Sequence, residues 1–288
     1  MNSRISSFLP LLVIGLTVLV SALGAEPPSE EATDPVTLGG HGPYVGVTTL
    51  RDILAGDIEG SLCLIEKSGK RVPLVNKKGY GLSDLQAADF GGGPVLVVGW
   101  TGGGKGRHLI PEVYRPDGEG KLEKVWGPFD LSPLYEGELE VVGTGHAQKL
   151  QLTEALVYHS FVPPHLTKSR SYSWKNGTLE AGAETYGEPT TVHQKANLAY
   201  ENFSHGEYKR ALRLYLEAIK AGDFRDDPEL AAALHYAVAA GFDKLGDARQ
   251  QRVYLKKVTD SYPDTSYARR AADKLLKMKA AEVQRNQP

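Results

Sequence analysis

The pattern of hydrophobic and polar residues along the chain changes near residue 190. Before this point, short runs rich in Val, Leu, Ile and aromatic residues, such as Pro94–Trp100 and Leu139–Gly143, alternate with turn signals that contain glycine. Such runs are typical of β-strands. After this point, Ala-rich sequence with a helical period dominates. We predict an α+β, two-domain chain, with a β-rich, all-β domain at 39–188 and an all-α domain at 190–288.

The predicted β domain has no long helical periodicity, which favours antiparallel pairing of its strands. Asp117-Gly118 and Asn176-Gly177 are dipeptides that turn the chain between paired strands. In Ser61–Glu66, apolar side chains alternate onto both faces, which indicates an interior strand. On that strand, Cys63 is expected to be a small buried hydrophobic residue rather than a reactive thiol. The domain is expected to be an antiparallel meander, a sandwich or a partial-propeller-like set of sheets.

The N-terminal segment, residues 1–25, has the layout of a signal peptide. Arg4 precedes the apolar run Phe8–Val20, and small residues follow, so we expect cleavage near Ala22–Ala25. An uncleaved anchor is the alternative, because about 16 apolar residues nearly reach across a bilayer. Residues 26–38 are acidic and contain proline, which predicts a flexible linker. We expect an exported protein, periplasmic or secreted, that meets the membrane only through an uncleaved signal segment.

Composition and charge narrow the classes of function. The 288 residues include 33 Lys+Arg and 35 Asp+Glu, a formal net charge of −2, which argues against nucleic acid as the partner. The single cysteine, Cys63, excludes an intramolecular disulfide and a multi-cysteine metal site. The eight histidines are scattered, without an HExxH motif, and the sequence has no G-x-S-x-G nucleophile elbow. We therefore predict no catalytic residue, no metal site and no cofactor, and the question of enzyme activity stays open.

One glycine-rich segment partly matches a phosphate-binding loop. Gly99–Gly106 fits G-x-x-x-x-G-K, but Gly106 stands where a P-loop has Ser or Thr. The residues that follow read as a β-strand, whereas a P-loop must open a helix whose N-terminal amides bind phosphate. We therefore expect the segment, with Lys105 at its tip, to be a hairpin turn.

The segment Asp84–Trp126 resembles one blade of the FG-GAP, integrin-like propeller repeat, with a weaker second copy at Gly137–Phe161 and a closing hairpin at Ser171–Glu180. The resemblance implies blade-like antiparallel sheets. The calcium loop of that family needs several closely spaced oxygen ligands. Here the loop, Ala88–Gly93, offers the single carboxylate of Asp89, so we do not expect it to bind Ca²⁺ well.

The segment Ala196–Gly222 resembles a tetratricopeptide (TPR) unit. The matching positions are Leu198, Ala199, Gly206, Tyr208, Ala211, Tyr215 and Ala218. Ala199 and Ala211 are small where paired helices would approach closely, and Gly206 would turn the chain between them.

A second TPR-like copy spans Ala231–Thr265. It matches at Ala239, Phe242, Gly246 and Pro263 and departs at Ala248 and Gln251. A last helix, from Ser266 to about Glu282, is expected to cap the stack with an inner stripe of Ala268, Ala271, Leu275 and Met278. The C-terminal segment resembles the TPR region of periplasmic Tol–Pal coordinator and outer-membrane assembly proteins.

The TPR resemblance implies an interaction module rather than a catalyst. In TPR units the first helix of each pair lines the concave face, which assigns groove positions to Asn197, Tyr200, Phe203, Tyr236, Ala240 and Lys244. We therefore predict an exported cell-envelope scaffold or adaptor that binds a segment of another envelope protein. One alternative is that Tyr200 and Tyr236 merely pack, covered by the β domain. The other is that the β domain is an enzyme or a carbohydrate-binding module with accessory helices.

Overall fold

The protein is described here by a computed structural model, which covers residues 29–38, 40–52, 57–102, 108–127, 133–158 and 163–285. Within these ranges, antiparallel sheets occupy residues 29–186, and five helices follow from residue 192. This α+β, two-domain layout confirms the predicted fold class. The predicted signal peptide and Lys105 lie outside the described residues. None of the described helices is long and apolar enough to cross a membrane.

The described part of the predicted linker, residues 29–38, contains two strands of sheet 1. The prediction of a flexible linker is therefore wrong for these residues. The strands of sheet 1 are β1 (Ser29–Ala32), β2 (Val36–Leu38), β3 (His41–Asp52), β4 (Asp57–Ile65) and β5 (Arg71–Lys78). Both β1 and β2 pair antiparallel with β3. The side chains of β1 are all exposed, as in a linker, but its backbone fills the hydrogen bonds of a sheet edge. Leu38 of β2 is buried in the core.

Sheets 2 and 3 are also antiparallel. The strands of sheet 2 are β6 (Tyr80–Asp89), β7 (Pro94–Gly102), β8 (His108–Pro116), β9 (Leu122–Trp126) and β10 (Leu134–Tyr135). Those of sheet 3 are β11 (Glu138–Val142), β12 (Lys149–Leu156), β13 (Leu166–Lys175) and β14 (Thr178–Tyr186). Sheet 3 is a four-stranded meander. Its last turn, Asn176-Gly177, has both φ angles positive, at 51° and 84°, as a tight hairpin turn requires.

Sheet 2 has apolar side chains in both cores of the β domain. Along β7, Val95 and Val97 pack with residues of sheet 3, whereas Leu96, Val98 and Trp100 pack with residues of sheet 1. Successive side chains of a strand point to opposite faces, so an uninterrupted apolar run supplies two cores at once. This explains why the apolar run Pro94–Trp100 forms an interior strand.

Cys63 of β4 is buried, as predicted. It packs with Val45 and Val47 of β3 and with Ile65 of its own strand. Burial raises the pKa of the Cys63 thiol, with a smaller opposing effect from the charge of Arg71. The thiol is therefore held in its neutral, unreactive form.

The helical domain consists of two helical hairpins and a last helix. The helices are α1 (Val192–Ser204), α2 (Tyr208–Ala221), α3 (Pro228–Lys244), α4 (Ala248–Ser261) and α5 (Ser266–Arg285). Gly206 and Gly246 turn the two hairpins at φ of 80° and 77°, a conformation that favours glycine. Ala199 of α1 and Ala211 of α2 are fully buried in the shared core, as their small size predicts.

The last helix, α5, packs its predicted inner stripe onto α3 and α4. Ala268 and Ala271 are buried, and Leu275 and Met278 are partly buried against the same core as Leu255 of α4. The helix extends three residues beyond the predicted end, to Arg285. The arrangement of paired helices agrees with the TPR-like prediction at this coarse level, while membership of that family stays a prediction.

Candidate functional site

Four of the six predicted groove residues line one concavity of the helical domain. We call it the aromatic groove; it encloses about 180 Å³ and is lined by Tyr200, Phe203, Tyr215, Ala233, Tyr236, Ala237, Ala240 and Tyr267. Most of the lining residues belong to α1 and α3, and α2 and α5 contribute one tyrosine each, Tyr215 and Tyr267. Tyr200 is 42% exposed. The ring centroid of Tyr236 lies 5.7 Å from that of Tyr267. Five of the eight lining residues are therefore aromatic.

Asn197 and Lys244 do not line the aromatic groove. Asn197 is buried, and its side-chain amide donates a hydrogen bond of 2.7 Å to the carbonyl oxygen of Leu156 at the end of β12. Its predicted groove position is wrong, because this part of α1 packs against sheet 3 rather than facing solvent. Lys244 is exposed at the last turn of α3, outside the residues that line the concavity.

The β domain touches the rim of the aromatic groove through Tyr158. The ring centroids of Tyr158 and Tyr200 lie 4.6 Å apart, with a tilt of 32°. Such a pair contributes about 0.5–1.5 kcal/mol beyond the area that it buries. Tyr200 thus packs partly on the β domain, as one alternative expected, and still exposes a large part of its ring.

A stripe of buried polar residues on α1 forms the joint between the two domains. Gln194, Asn197 and Glu201 recur at spacings of three and four, so they share one face of the helix. The side-chain amide of Gln194 donates to the carbonyl oxygen of Pro164 at 3.1 Å. We call these three residues, together with Glu154, Tyr158 and Lys168 of the β domain, the polar joint.

Glu201 is the centre of the polar joint. Its carboxylate accepts a hydrogen bond of 2.6 Å from the Tyr158 hydroxyl and one of 2.9 Å from the Lys168 ammonium group. Burial by itself raises the pKa of Glu201, but these two hydrogen bonds and the charge of Lys168 outweigh it, so the pKa lies below its ordinary value. Lys168 also pairs with Glu154 at 2.8 Å. The buried charges therefore compensate one another, and burial together with the carboxylate of Glu201 raises the pKa of Tyr158.

A second ion pair lies beside the polar joint. Arg170 of β13 pairs with Glu184 of β14, which also accepts a hydrogen bond of 2.6 Å from the Tyr186 hydroxyl. Ligand atoms of Glu184, Glu201 and His205 lie within 4.8 Å of one another, a spacing that could hold a metal ion. The two carboxylates, however, are already paired with Arg170 and with Lys168. This donor set is better described as part of a charge network than as a metal centre.

A cavity of about 230 Å³, which we call the joint cavity, opens on sheet 3 beside the polar joint. Its lining consists of Leu134, Leu152, Thr153, Glu154, Tyr158, Lys168, Arg170 and Tyr172. Both cations of the lining are paired, Lys168 with Glu154 and Glu201 and Arg170 with Glu184. The joint cavity can therefore offer hydroxyl groups, aromatic faces and neutralised ion pairs to a small polar molecule.

The β domain contains one more buried carboxylate, Glu112 of β8. It accepts a hydrogen bond of 2.6 Å from the Tyr114 hydroxyl, and it pairs with Lys77 at 2.9 Å and with Lys124 at 3.3 Å. Burial raises the pKa of Glu112, but the hydrogen bonds from Lys77 and Tyr114 more than compensate and hold it below the ordinary value. Lys77 also lies 5.1 Å from the centroid of the Trp100 ring. This cluster joins sheets 1 and 2.

In the loop Ala88–Gly93, which we do not expect to bind Ca²⁺ well, the carboxylate of Asp89 contacts other groups of the protein. One oxygen of Asp89 accepts a hydrogen bond of 2.8 Å from the backbone amide of Gly91, and the other lies 3.0 Å from Nδ1 of His146. The amide of Gly91 contributes most to holding the pKa of Asp89 below its ordinary value. The loop is thus closed onto the 3-10 turn at Gly145–Ala147.

Sequence reasoning missed Glu201, Lys168 and Tyr158, which the structure brings together. A usable signal was present in the polar stripe of α1, because buried faces of helices are ordinarily apolar.

No protein-family model, no curated protein and no solved structure matches the chain.

Proposed function

We propose that the protein is an exported scaffold or adaptor of the cell envelope, and that it binds a segment of another protein in the aromatic groove. The observation that supports this proposal is the concavity itself. Tyr200, Phe203 and Tyr236, which the TPR resemblance assigns to the groove, line one open pocket together. Aromatic residues in such pockets carry much of the binding energy at protein interfaces. The signal-peptide pattern of residues 1–25 supports export.

The groove is suited to one large apolar side chain of a bound peptide. Its volume of about 180 Å³ corresponds to roughly six water molecules, which such a side chain would displace. Tyr236 and Tyr267 carry hydroxyl groups at the wall, which would donate hydrogen bonds to carbonyl oxygens of the peptide backbone or accept them from its amides. We therefore expect an aromatic or aliphatic anchor residue within an extended or helical segment.

The test is to select peptide ligands of the full chain from a displayed random library and to measure their affinity for variants. Tyr200→Ala and Tyr236→Ala should each weaken binding about tenfold or more, as expected for anchor positions. The matched control is Leu245→Ala, which removes an exposed apolar side chain of the same domain outside the groove. Thermal unfolding of each variant is recorded in parallel.

Two results would contradict this assignment. The first is a set of selected peptides whose affinity is unchanged by both tyrosine substitutions. The second is a loss of several degrees in melting temperature with binding intact, which would make these tyrosines core residues that only pack.

A second candidate function is the binding of a small polar ligand, such as a sugar, by the joint cavity. The observation that favours it is the cavity of about 230 Å³ with paired charges and the aromatic residues Tyr158 and Tyr172 in its lining. A thermal-shift screen with neutral and acidic sugars tests this candidate. A ligand-induced shift that Thr153→Val abolishes would support it, and the absence of any shift would argue against it.

A further inference from the structure

The outer face of the last two helices exposes apolar side chains that no described residue covers. Leu276 of α5 is 66% exposed and Val283 is 53% exposed. They are seven positions apart, so they lie on the same side of the helix. Val253 of α4 is also among the exposed large apolar residues. Single exposed apolar residues are common, but Leu276 and Val253 line two hollows that share Arg252, Lys256 and Glu282, and exposed apolar side chains grouped in this way mark an interaction surface.

A long groove runs between the two helices at this patch. It is open to solvent, has a volume of about 670 Å³ and is lined by Arg252, Lys256, Thr259, Ala272, Leu275, Leu276, Lys279 and Glu282. An adjoining hollow at the start of α4 adds Arg249 and Val253. We call this combined surface the α4–α5 face.

The stacking of the helices indicates what shape would fill the α4–α5 face. α1 packs against α2, and α3 against α4, so in each hairpin the second helix covers the first. α5 packs inward on α3 and α4, but no described helix covers it from the other side. The groove between α4 and α5 can therefore accommodate one more helix, which would contact Leu275 and Leu276 of its lining.

Charge identifies the chemistry of the helix that would fit. Residues 248–285 contain 10 Lys+Arg and 4 Asp+Glu, a net charge of +6, although the whole chain has a net charge of −2. The lining of the groove includes Lys256 and Lys279, and the single carboxylate of the lining, Glu282, pairs with Arg252. A lining with basic and apolar side chains complements a helix with one apolar stripe flanked by carboxylates.

We propose that the α4–α5 face binds an acidic amphipathic helix of a partner protein. The apolar stripe of that helix, with residues at i, i+3, i+4 and i+7, would cover Leu275 and Leu276, and its Asp and Glu residues would pair with Lys256 and Lys279. The acidic segment of this chain near residues 29–38 does not fit this role, because it pairs as strands with β3. The site is separate from the aromatic groove, and the proposal does not depend on it.

The test measures binding of a designed probe to the full chain by fluorescence anisotropy. The probe is a labelled peptide of about 18 residues with leucines at helical spacing and glutamates between them, a length of about five helical turns. A second peptide carries lysine in place of every glutamate. We expect the glutamate peptide to bind, the lysine peptide to bind at least tenfold more weakly, and added salt to weaken the glutamate peptide.

Variants locate the binding on the protein. Leu276→Ser and the double variant Lys256→Glu, Lys279→Glu should each weaken the glutamate peptide about tenfold or more. Both change exposed side chains, so circular dichroism should show an intact fold. The control Leu245→Ser changes an exposed leucine of α3's C-terminal turn, away from this face, and should leave affinity unchanged. Tyr236→Ala should also bind the glutamate peptide normally, which separates this result from failure of the aromatic groove.

Three outcomes would overturn the proposal. In the first, neither peptide binds, or Leu276→Ser leaves the affinity of the glutamate peptide unchanged. In the second, sedimentation shows that the chain self-associates and that Leu276→Ser abolishes the association, which would make the occupant a second copy. In the third, the chain floats with vesicles of phosphatidylcholine and phosphatidylglycerol and Leu276→Ser abolishes this, which would make the occupant a lipid surface.

Discussion

Acidification is expected to weaken the helical domain through one buried histidine, His235 of α3. This residue is only 3% exposed, and Nδ1 of its ring has no hydrogen-bond partner among the described residues. Its ring centroid lies 5.8 Å from that of Tyr262 and 6.0 Å from that of Tyr254. Burial, with a smaller contribution from the charge of Lys257, lowers the pKa of His235 from 6.5 to about 4. The folded protein therefore keeps this ring neutral at neutral pH.

The lowered pKa gives both the direction and the size of the effect. The unfolded chain takes up a proton on His235 near pH 6.5, whereas the folded protein resists protonation until about pH 4. The contribution of neutral His235 to the free energy of unfolding is thus fully present above pH 6.5, and it is lost as the pH falls toward 4. Each pH unit in this window is worth about 1.4 kcal/mol, so the free energy of unfolding should fall by about 2 kcal/mol between pH 7 and pH 5.

Urea unfolding followed by circular dichroism at the helical band measures this change at about pH 7, 6 and 5. The variant His235→Leu, of similar volume, should lose most of the pH dependence. The carboxylate of Glu201, whose pKa lies below its ordinary value of 4.5, titrates below this window and does not obscure the result. The control is Leu245→Ala, which removes an exposed apolar side chain and no titratable group, and should keep the pH dependence of the unchanged chain.

The reasoning would be refuted if His235→Leu and the unchanged chain lost stability equally between pH 7 and pH 5. A stability that rises on acidification would refute it as well, because it would mean that the folded protein binds the proton more tightly than the unfolded chain.

Two further predictions concern packing and the polar joint. Gly60→Ala should destabilise the β domain by about 1–3 kcal/mol in urea unfolding, because the added Cβ would stand 2.8 Å from the backbone oxygen of Tyr80. The control is Gly118→Ala, which should have little effect because the space around Gly118 is open. Asn197→Ala should lower the free energy of unfolding by about 1–3 kcal/mol and lower the melting temperature, because the buried carbonyl of Leu156 loses its 2.7 Å hydrogen bond. An unchanged melting temperature would contradict the assigned hydrogen bond.

Local patterns determined the order of the elements because their physical cause lies within a few residues. The apolar run Pro94–Trp100 forms an interior strand, since alternating side chains reach two cores. Asn176-Gly177 turns a hairpin, and Gly206 and Gly246 turn the helical hairpins, since their φ angles are positive. The buried stripe of α5 could be predicted for the same reason, because residues on one face of a helix recur every three or four positions.

The linker at 26–38 shows where local composition misleads. Acidic side chains and prolines predict a flexible segment, and the side chains of Ser29–Ala32 are indeed exposed. The strand forms nevertheless, because the open edge of β3 supplies hydrogen-bond partners to its backbone. The sequence of the segment itself does not predict this pairing, because the partner strand lies elsewhere in the chain.

By itself, the sequence determined that strands precede helices and that Cys63 is buried. Only the tertiary structure decided which face of α1 meets the β domain. Glu201 is buried because Lys168, 33 positions earlier in the chain, compensates its charge across the joint. A charge is stable in the interior only beside its partner, and the distance between such partners is a property of the packed domains rather than of their local sequence.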